Sequence, residues 1–270
     1  MRINESGTII GRYTTRLQKG GALLDALRQL TLVWDGTDSG EGYSVREVAG
    51  VPSRERARDI VQRAFIPRLV ASSPPNLWRV AAAVERSGAD RSVVLPIHYY
   101  ATASSEPLLW DFVVKQLFPL AGTEREVSTQ TVLRFFDSQP NETFGGHRWT
   151  PTVAVKVARG VLAALRDYGV LRGASKKRVA GMFLPVPAFA LLARIRYELG
   201  YRGEAAINDD VWKLFFLGTA GVERFLTEAA ANHLLRFETA GPVVRIEFPQ
   251  ATLEGYTEYA TQQSTGRSRG

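Results

Sequence analysis

A run of arginines between residues 46 and 68 has the residue types that point most directly to a chemistry. It comprises Arg46, Arg54, Arg56, Arg58, Arg63 and Arg68, opposed by Glu47, Glu55 and Asp59. The planar guanidinium group donates two parallel hydrogen bonds to phosphate oxygens, which a lysine cannot do. Arg56 and Arg63 are seven residues apart and share one helical face. The run therefore predicts phosphate binding by Arg46, Arg54, Arg56, Arg58 and Arg63. The alternative is an intramolecular network in which adjacent arginines and acidic residues neutralise each other.

A second basic group accompanies a helix that the sequence predicts from Pro151 to Tyr168. Its members are Arg148, Lys156, Arg159, Lys176, Lys177 and Arg178. Lys156, Arg159 and Arg166 form a stripe away from the apolar face of this helix, and the triplet from Lys176 follows it. Such a helix and the basic segment after it could place cations against both phosphate backbones that flank a groove. The alternative is an ordinary solvated helix face, since Arg166 is adjacent to Asp167.

Catalytic and metal-binding patterns are weak in this sequence. The three histidines, His98, His147 and His233, lack the spacing of metal ligands, and there is no cysteine to supply a thiolate ligand or nucleophile. We therefore expect a protein that is not an enzyme and that holds no cofactor or metal. An enzyme stays possible only if carboxylates such as Asp137 and Glu142 converge in the fold with other groups.

The overall composition favours a polyanionic partner. The 270 residues are 45% hydrophobic and carry a formal charge of +7, with a pI near 9.8. The longest apolar run, Met182 to Ile195, is interrupted by two prolines and an arginine, so we expect no membrane span. The absence of cysteine and of an N-terminal signal pattern predicts a cytoplasmic location.

The elements that must position the basic residues are predicted to be mainly helical. Apolar residues recur at helical spacing from Arg12 to Trp34, where the Gly20–Gly21 pair predicts a hinge. The stretch YSVREVAG predicts a short helix, and VPSRERARDIVQRAFIPRLVASSPP predicts a turn and a longer helix capped by Ser53. This is a helix-turn-helix-like outline within an N-terminal helical bundle, which we assign to residues 1–121.

Two later segments follow the order of a winged helix. In residues 122–200, a helix from Glu126 to Asp137 and a second helix that begins after Thr150 precede a predicted β-hairpin. In residues 201–261, two further helices precede two strands of alternating apolar and polar residues. Residues 262–270 are polar and predict a disordered tail. The predicted fold is mainly α: an N-terminal helical bundle with a helix-turn-helix-like segment, followed by two winged-helix-like units with small β-hairpins.

Several of these segments together resemble a known family. They are KGGALLDALRQL, SRERARDIVQRAFIPRL and EPLLWDFVVKQLFPL in the N-terminal half, then TVAVKVARGVLAALRDYGVLRG, FLPVPAFALLARI and VERFLTEAAANHLLRFETAGPVVRIEFP. In this order they resemble the BrxA family of bacterial BREX phage-defence systems, from about Lys19 to Tyr259. The loops DGTDSGEG and NETFGGHR and the basic tail depart from the family pattern, so contacts made by loops cannot be transferred.

The resemblance implies a helical protein with small β wings that binds DNA. It also implies a role beside the methyltransferase, phosphatase-like and ATPase components of the defence system, which would carry out the chemistry. Together with the basic residues, this predicts non-catalytic binding of double-stranded DNA, mainly through phosphate contacts. The alternative is a protein–protein assembly adaptor that contacts other BREX components without binding DNA directly.

Overall fold

The computed structural model describes residues 2–3, 9–10, 12–36, 50–174, 176–241 and 243–266. The fold is mainly α-helical with small antiparallel β-sheets, which confirms the predicted fold class. The helices are α1 (Leu24–Val33), α2 (Arg54–Ile60, continued by a π-helix over Val61–Val70), α3 (Leu77–Arg86), α4 (Arg91–Ser105), α5 (Pro107–Asp111, continued by a π-helix over Phe112–Leu117), α6 (Thr129–Ser138), α7 (Pro151–Asp167), α8 (Val186–Glu198), α9 (Glu204–Ile207), α10 (Val211–Leu214), α11 (Thr219–Ala231) and α12 (Leu253–Gly266). Short 3-10 turns span Arg16–Lys19, Phe118–Leu120 and Asn141–Phe144. The strands are β1 (Arg2–Ile3), β2 (Ile9–Ile10), β3 (Glu126–Val127), β4 (Leu171–Arg172), β5 (Lys177–Val179), β6 (Arg236–Ala240) and β7 (Val243–Glu247).

Polar side chains cap both helices that carry the predicted basic residues. The hydroxyl of Ser53 accepts a hydrogen bond from the backbone amide of Arg56 at 3.1 Å, so α2 begins where the sequence predicts. The hydroxyl of Thr150 accepts one from the amide of Val153 at 3.4 Å. Pro151 follows at the first helical position, where its missing amide proton costs no intrahelical hydrogen bond.

A three-stranded antiparallel sheet frames α6 and α7. Its strand order is β3–β5–β4, with Glu126 opposite Arg178 and Leu171 opposite Val179. The hairpin predicted after α7 is therefore present. The helix predicted from residue 126 is wrong at its start, because Glu126 and Val127 pair with β5 and α6 begins only at Thr129.

The chain before α1 lies across α7. Helical structure is broken at Gly20 and Gly21, whose φ angles are +142° and +62°, and the preceding residues form only a 3-10 turn. A Cβ atom on Gly160 of α7 would lie 2.5 Å from the carbonyl carbon of Leu17. Glycine is therefore the residue that allows this close approach of two backbones.

One hydrophobic core extends through the described chain from Tyr13 to Ala260. Helix α12 packs against α3 and α8, and α4 also packs against α8. Helices from all three predicted segments, 1–121, 122–200 and 201–261, thus share one core. The domain boundaries at residues 121 and 200 stay predictions. Helix α12 continues to Gly266, so residues 262–266 are helical, whereas 267–270 of the expected tail lie outside the described residues.

The carboxylate of Glu85 connects three N-terminal helices. The carboxylate of Glu85 on α3 accepts hydrogen bonds from Nε and Nη2 of Arg28 on α1, at 2.6 and 2.8 Å. Nε2 of His98 on α4 lies 3.3 Å from the same carboxylate. Burial opposes ionisation of Glu85, but the hydrogen bonds and charges of His98 and Arg28 outweigh it and lower its pKa to about 2.

No described helix has both the length and the apolar character needed to span a membrane.

Candidate nucleic-acid interface

The arginines of α2 surround one carboxylate. Asp59 lies 2.8 Å from Nη1 of Arg56, 3.0 Å from Nε of Arg63 and 3.6 Å from Nζ of Lys19. Arg56 also donates a hydrogen bond to the backbone carbonyl of Lys19. Three cations thus share a single negative charge, so this cluster keeps a net positive charge. The ion-pair alternative applies to Arg56 and Arg63, although the side chain of Arg63 is still 64% exposed.

The other predicted arginines of this run differ in their surroundings. Arg54 and Arg58 are exposed, and neither side chain forms a hydrogen bond or ion pair with another residue that the structure describes. Arg68 is buried, and its Nη1 donates to the carbonyl of Ala22 at 3.0 Å, so it supports the fold. Arg46 and the predicted short helix before residue 50 lie outside the described residues.

A shallow depression opens beside α2. Its volume is about 560 Å³, and basic side chains make up half of its lining. It is lined by Lys19, Ser53, Glu55, Arg56, Arg58, Asp59, Gln62 and Arg63. A depression of this composition is suited to an anionic group with several oxygen acceptors.

The N-terminal half of α7 is an exposed basic surface. Pro151, Thr152, Lys156 and Arg159 are all exposed, and no acidic residue lies between Glu142 and Asp167. Within the described ranges, the side chains of Lys156 and Arg159 have no hydrogen-bond or ion-pair partner. The C-terminal half differs, because the 3-10 turn Arg16–Lys19 packs on it at Gly160. The face of α7 that contains Gly160 is therefore covered, whereas its first turns are open to a large ligand.

Arg148 has a structural role at the start of this surface. Its Nε donates to Oδ1 of Asn141 at 2.7 Å, and its two terminal nitrogens donate to the carbonyls of Phe136 and Gln139. Its guanidinium lies 4.5 Å from the ring centroid of Phe144. These contacts hold the turn before α7 against α6. Fewer of its donors are left for a phosphate than the sequence alone suggests.

The hairpin cations are partly paired. Nζ of Lys176 lies 3.4 Å from Oε1 of Glu126, and Arg178 pairs with Glu124. Nζ of Lys177 donates to the carbonyl of Ala174 at 2.6 Å. Such exposed ion pairs contribute little and exchange readily with other anions, so these cations stay accessible to phosphate.

Three further cations join these surfaces, and sequence reasoning missed them. Lys19 reaches Asp59 from the turn that packs on α7, and the exposed Arg12 lies beside Gly145. Arg172 is exposed on β4 and stands opposite Arg178. Pairing the two strands predicted after α7 as a hairpin would have placed Arg172 beside the basic triplet that includes Arg178. No local pattern signals Lys19 or Arg12, because their positions depend on the chain crossing α7.

No cluster of three or more His, Asp or Glu side chains that could hold a metal occurs in the part of the chain that the structure describes. His98, the most buried histidine, is engaged with Glu85 between helices. His147 is exposed in the loop before α7.

The fold and these surfaces define a mainly helical protein with groups of accessible cations on α2, on α7 and on a small hairpin. The family model of BrxA matches residues 11–196, which is more than half of the chain. The chain therefore belongs to the BrxA family and has a role associated with BREX phage defence. No curated protein and no solved structure matches it.

Proposed function

We propose that this protein binds double-stranded DNA without catalysing a reaction on it, and that it does so mainly through phosphate contacts. The observation that carries the proposal is the exposed N-terminal half of α7, which contains basic but no acidic residues and belongs to a helix that a basic hairpin follows in the chain. Cytoplasmic duplex DNA is the partner that we propose, and other BREX components are candidates for additional contacts.

The unit from β3 to β5 supports a winged-helix mode of binding. Two helices separate β3 from β4, and the β4–β5 hairpin completes a sheet of order β3–β5–β4. In winged-helix and related proteins the second helix enters the major groove, and its N-terminal residues approach the bases. In α7 these are the open turns with Thr152, Lys156 and Arg159. The hairpin cations would then contact the flanking phosphates.

Helix α2 supplies a second contact in this proposal. Arg54 and Arg58 provide guanidinium groups that have no partner in the described part of the chain. Lys19 links their surface to α7 through the turn that packs on Gly160. The later hairpin β6–β7 forms a sheet of its own with two strands, so we assign it no DNA contact.

A salt-titrated mobility shift tests this function. The side chains of Arg54, Arg58, Lys156 and Arg159 have no partner among the described residues. Four phosphate contacts from them predict a slope of log K against log salt of about −3.6, and contacts from the hairpin cations would make it steeper. Duplexes of unrelated sequence but equal numbers of pyrimidine–purine steps should bind alike, and single-stranded DNA and RNA should be compared in the same titration.

The K156E/R159E double variant should lower duplex affinity at least tenfold at about 0.1 M salt and reduce the slope by about 2. The matched control is R224E/R236E, which changes the charge equally at exposed positions of α11 and β6 and should alter affinity less than threefold. Wild-type protein that shows no salt-dependent shift, yet co-purifies with other BREX proteins free of nucleic acid, would reject the proposal and favour the adaptor.

A further inference from the structure

The apolar side chain of Phe183 is exposed to solvent. Its exposure is 74%, whereas its neighbours Met182 and Leu184 are buried at 8% and 6%. Gly181 has a φ of +71°, which turns the chain just before this segment, and Pro185 caps α8 just after it. Two buried neighbours therefore fix the backbone on either side of the exposed ring, in a short segment between β5 and α8. A phenylalanine is ordinarily among the side chains that folding buries.

The segment around this ring is basic. Between Asp167 and Glu198 the chain has no acidic residue and six basic ones, of which Arg194 and Arg196 are buried in α8 and the other four belong to the hairpin segment before Phe183. Phe183 follows β5 by four positions, so it comes directly after the hairpin that carries Arg172, Lys177 and Arg178. The other large apolar side chains recorded as exposed in the described ranges are Leu32, Val33 and Val243, in segments that also contain acidic residues.

The chemistry of these surroundings favours one kind of occupant. A protein-docking surface is usually a contiguous apolar patch of several hundred Å², whereas Phe183 is a single ring. DNA-bending proteins combine an exposed apolar side chain with nearby cations, as in the segment that joins this hairpin to Phe183. Their Phe, Leu or Met side chains insert between base steps while basic residues hold the adjacent backbone.

We propose that Phe183 inserts between two stacked base pairs of double-stranded DNA next to the β4–β5 hairpin and kinks the duplex there. This inference rests on the proposed DNA binding and adds a mode of recognition to it. Because pyrimidine–purine steps unstack most easily, Phe183 gives the protein a preference for TA and CA/TG steps without hydrogen bonds to the bases.

The test uses the full chain and a duplex with 2-aminopurine in a central TA step, whose fluorescence rises when the base unstacks. Wild-type protein should raise this fluorescence at least twofold, and dyes on the duplex ends should move closer together. F183A should abolish both signals while the salt slope stays the same, and F183L should keep at least half of the fluorescence rise. V243A, which truncates another exposed apolar side chain, should behave as wild type.

The outcomes separate the two proposals. Salt-dependent binding by wild-type protein without any fluorescence rise, or a rise that F183A retains, would overturn the role of Phe183 and leave DNA binding intact. Failure of wild-type protein to bind duplex DNA would overturn both. A thermal melt of F183A should match wild type, because the ring makes no buried contact.

Discussion

Replacing Gly160 with alanine should destabilise this protein, although alanine is the better helix former. In an exposed helix the change from Gly to Ala stabilises by about 1 kcal/mol. Here the added methyl would lie 2.5 Å from the carbonyl carbon of Leu17 and 2.9 Å from the amide nitrogen of Gln18. Both atoms belong to backbone, so no side chain can rotate away to relieve the contact.

The magnitude follows from how far the turn must move. Carbon atoms pack at about 3.5–4.0 Å, so the 3-10 turn must withdraw from α7 by about 1 Å. Overpacking of a close-packed site typically costs about 1–3 kcal/mol. Because both clashing atoms are backbone, we expect the upper part of this range, about 2–3 kcal/mol, from which the gain of about 1 kcal/mol in helix propensity is subtracted. We expect G160A to lower the free energy of unfolding by about 1–2 kcal/mol in urea denaturation.

Gly221 offers a matched control. It also lies within a helix, α11, but a Cβ atom there would meet its nearest neighbour, Cδ2 of Leu217, at 3.4 Å. G221A should therefore leave stability unchanged or raise it by up to about 1 kcal/mol. If G160A proves as stable as G221A, the close packing of the 3-10 turn on α7 is refuted.

Two further predictions concern charges. D59N removes the carboxylate that Lys19, Arg56 and Arg63 share. Duplex affinity should therefore rise about threefold, and the salt slope should steepen by about 1. Weaker binding in the mobility shift would contradict a phosphate-binding role for α2. Glu85 has a pKa lowered from 4.5 to about 2, so its ionised form stabilises the fold above about pH 4.5, and that stabilisation is lost as the pH falls towards 2. Urea unfolding between pH 5 and pH 2 should therefore show a steeper loss of stability for wild type than for E85Q, and parallel profiles would argue against the ionised pair with Arg28.

Features with local causes could be predicted from the sequence. The helix Pro151–Asp167 is specified by its Thr150 cap and by apolar residues at helical spacing, all within one segment. The alternation in residues 236–247 likewise predicts the β6–β7 hairpin, in which Phe237 stands opposite Ile246. These interactions join residues close in sequence, so the sequence displays them as a pattern.

Strand β3 shows where local patterns fail. Glu126 and Val127 precede a helix and have no periodicity of their own, because two residues are too few to display one. They form a strand only because Arg178 and Lys177, about fifty positions later, present a free edge to them. A pairing of this kind becomes visible only when the chain is folded.

The amino-acid sequence is enough to show that this protein is basic, to predict that it is mainly helical, and to locate its arginine-rich region between residues 46 and 68. Which of the described cations are open to a ligand depends on the tertiary structure. Arg68 is buried against Ala22, Arg148 is bound to backbone carbonyls, and Asp59 is shared with Lys19 from forty positions earlier. The physical reason is that burial and pairing depend on neighbours in space. For these side chains the neighbours come from distant parts of the chain.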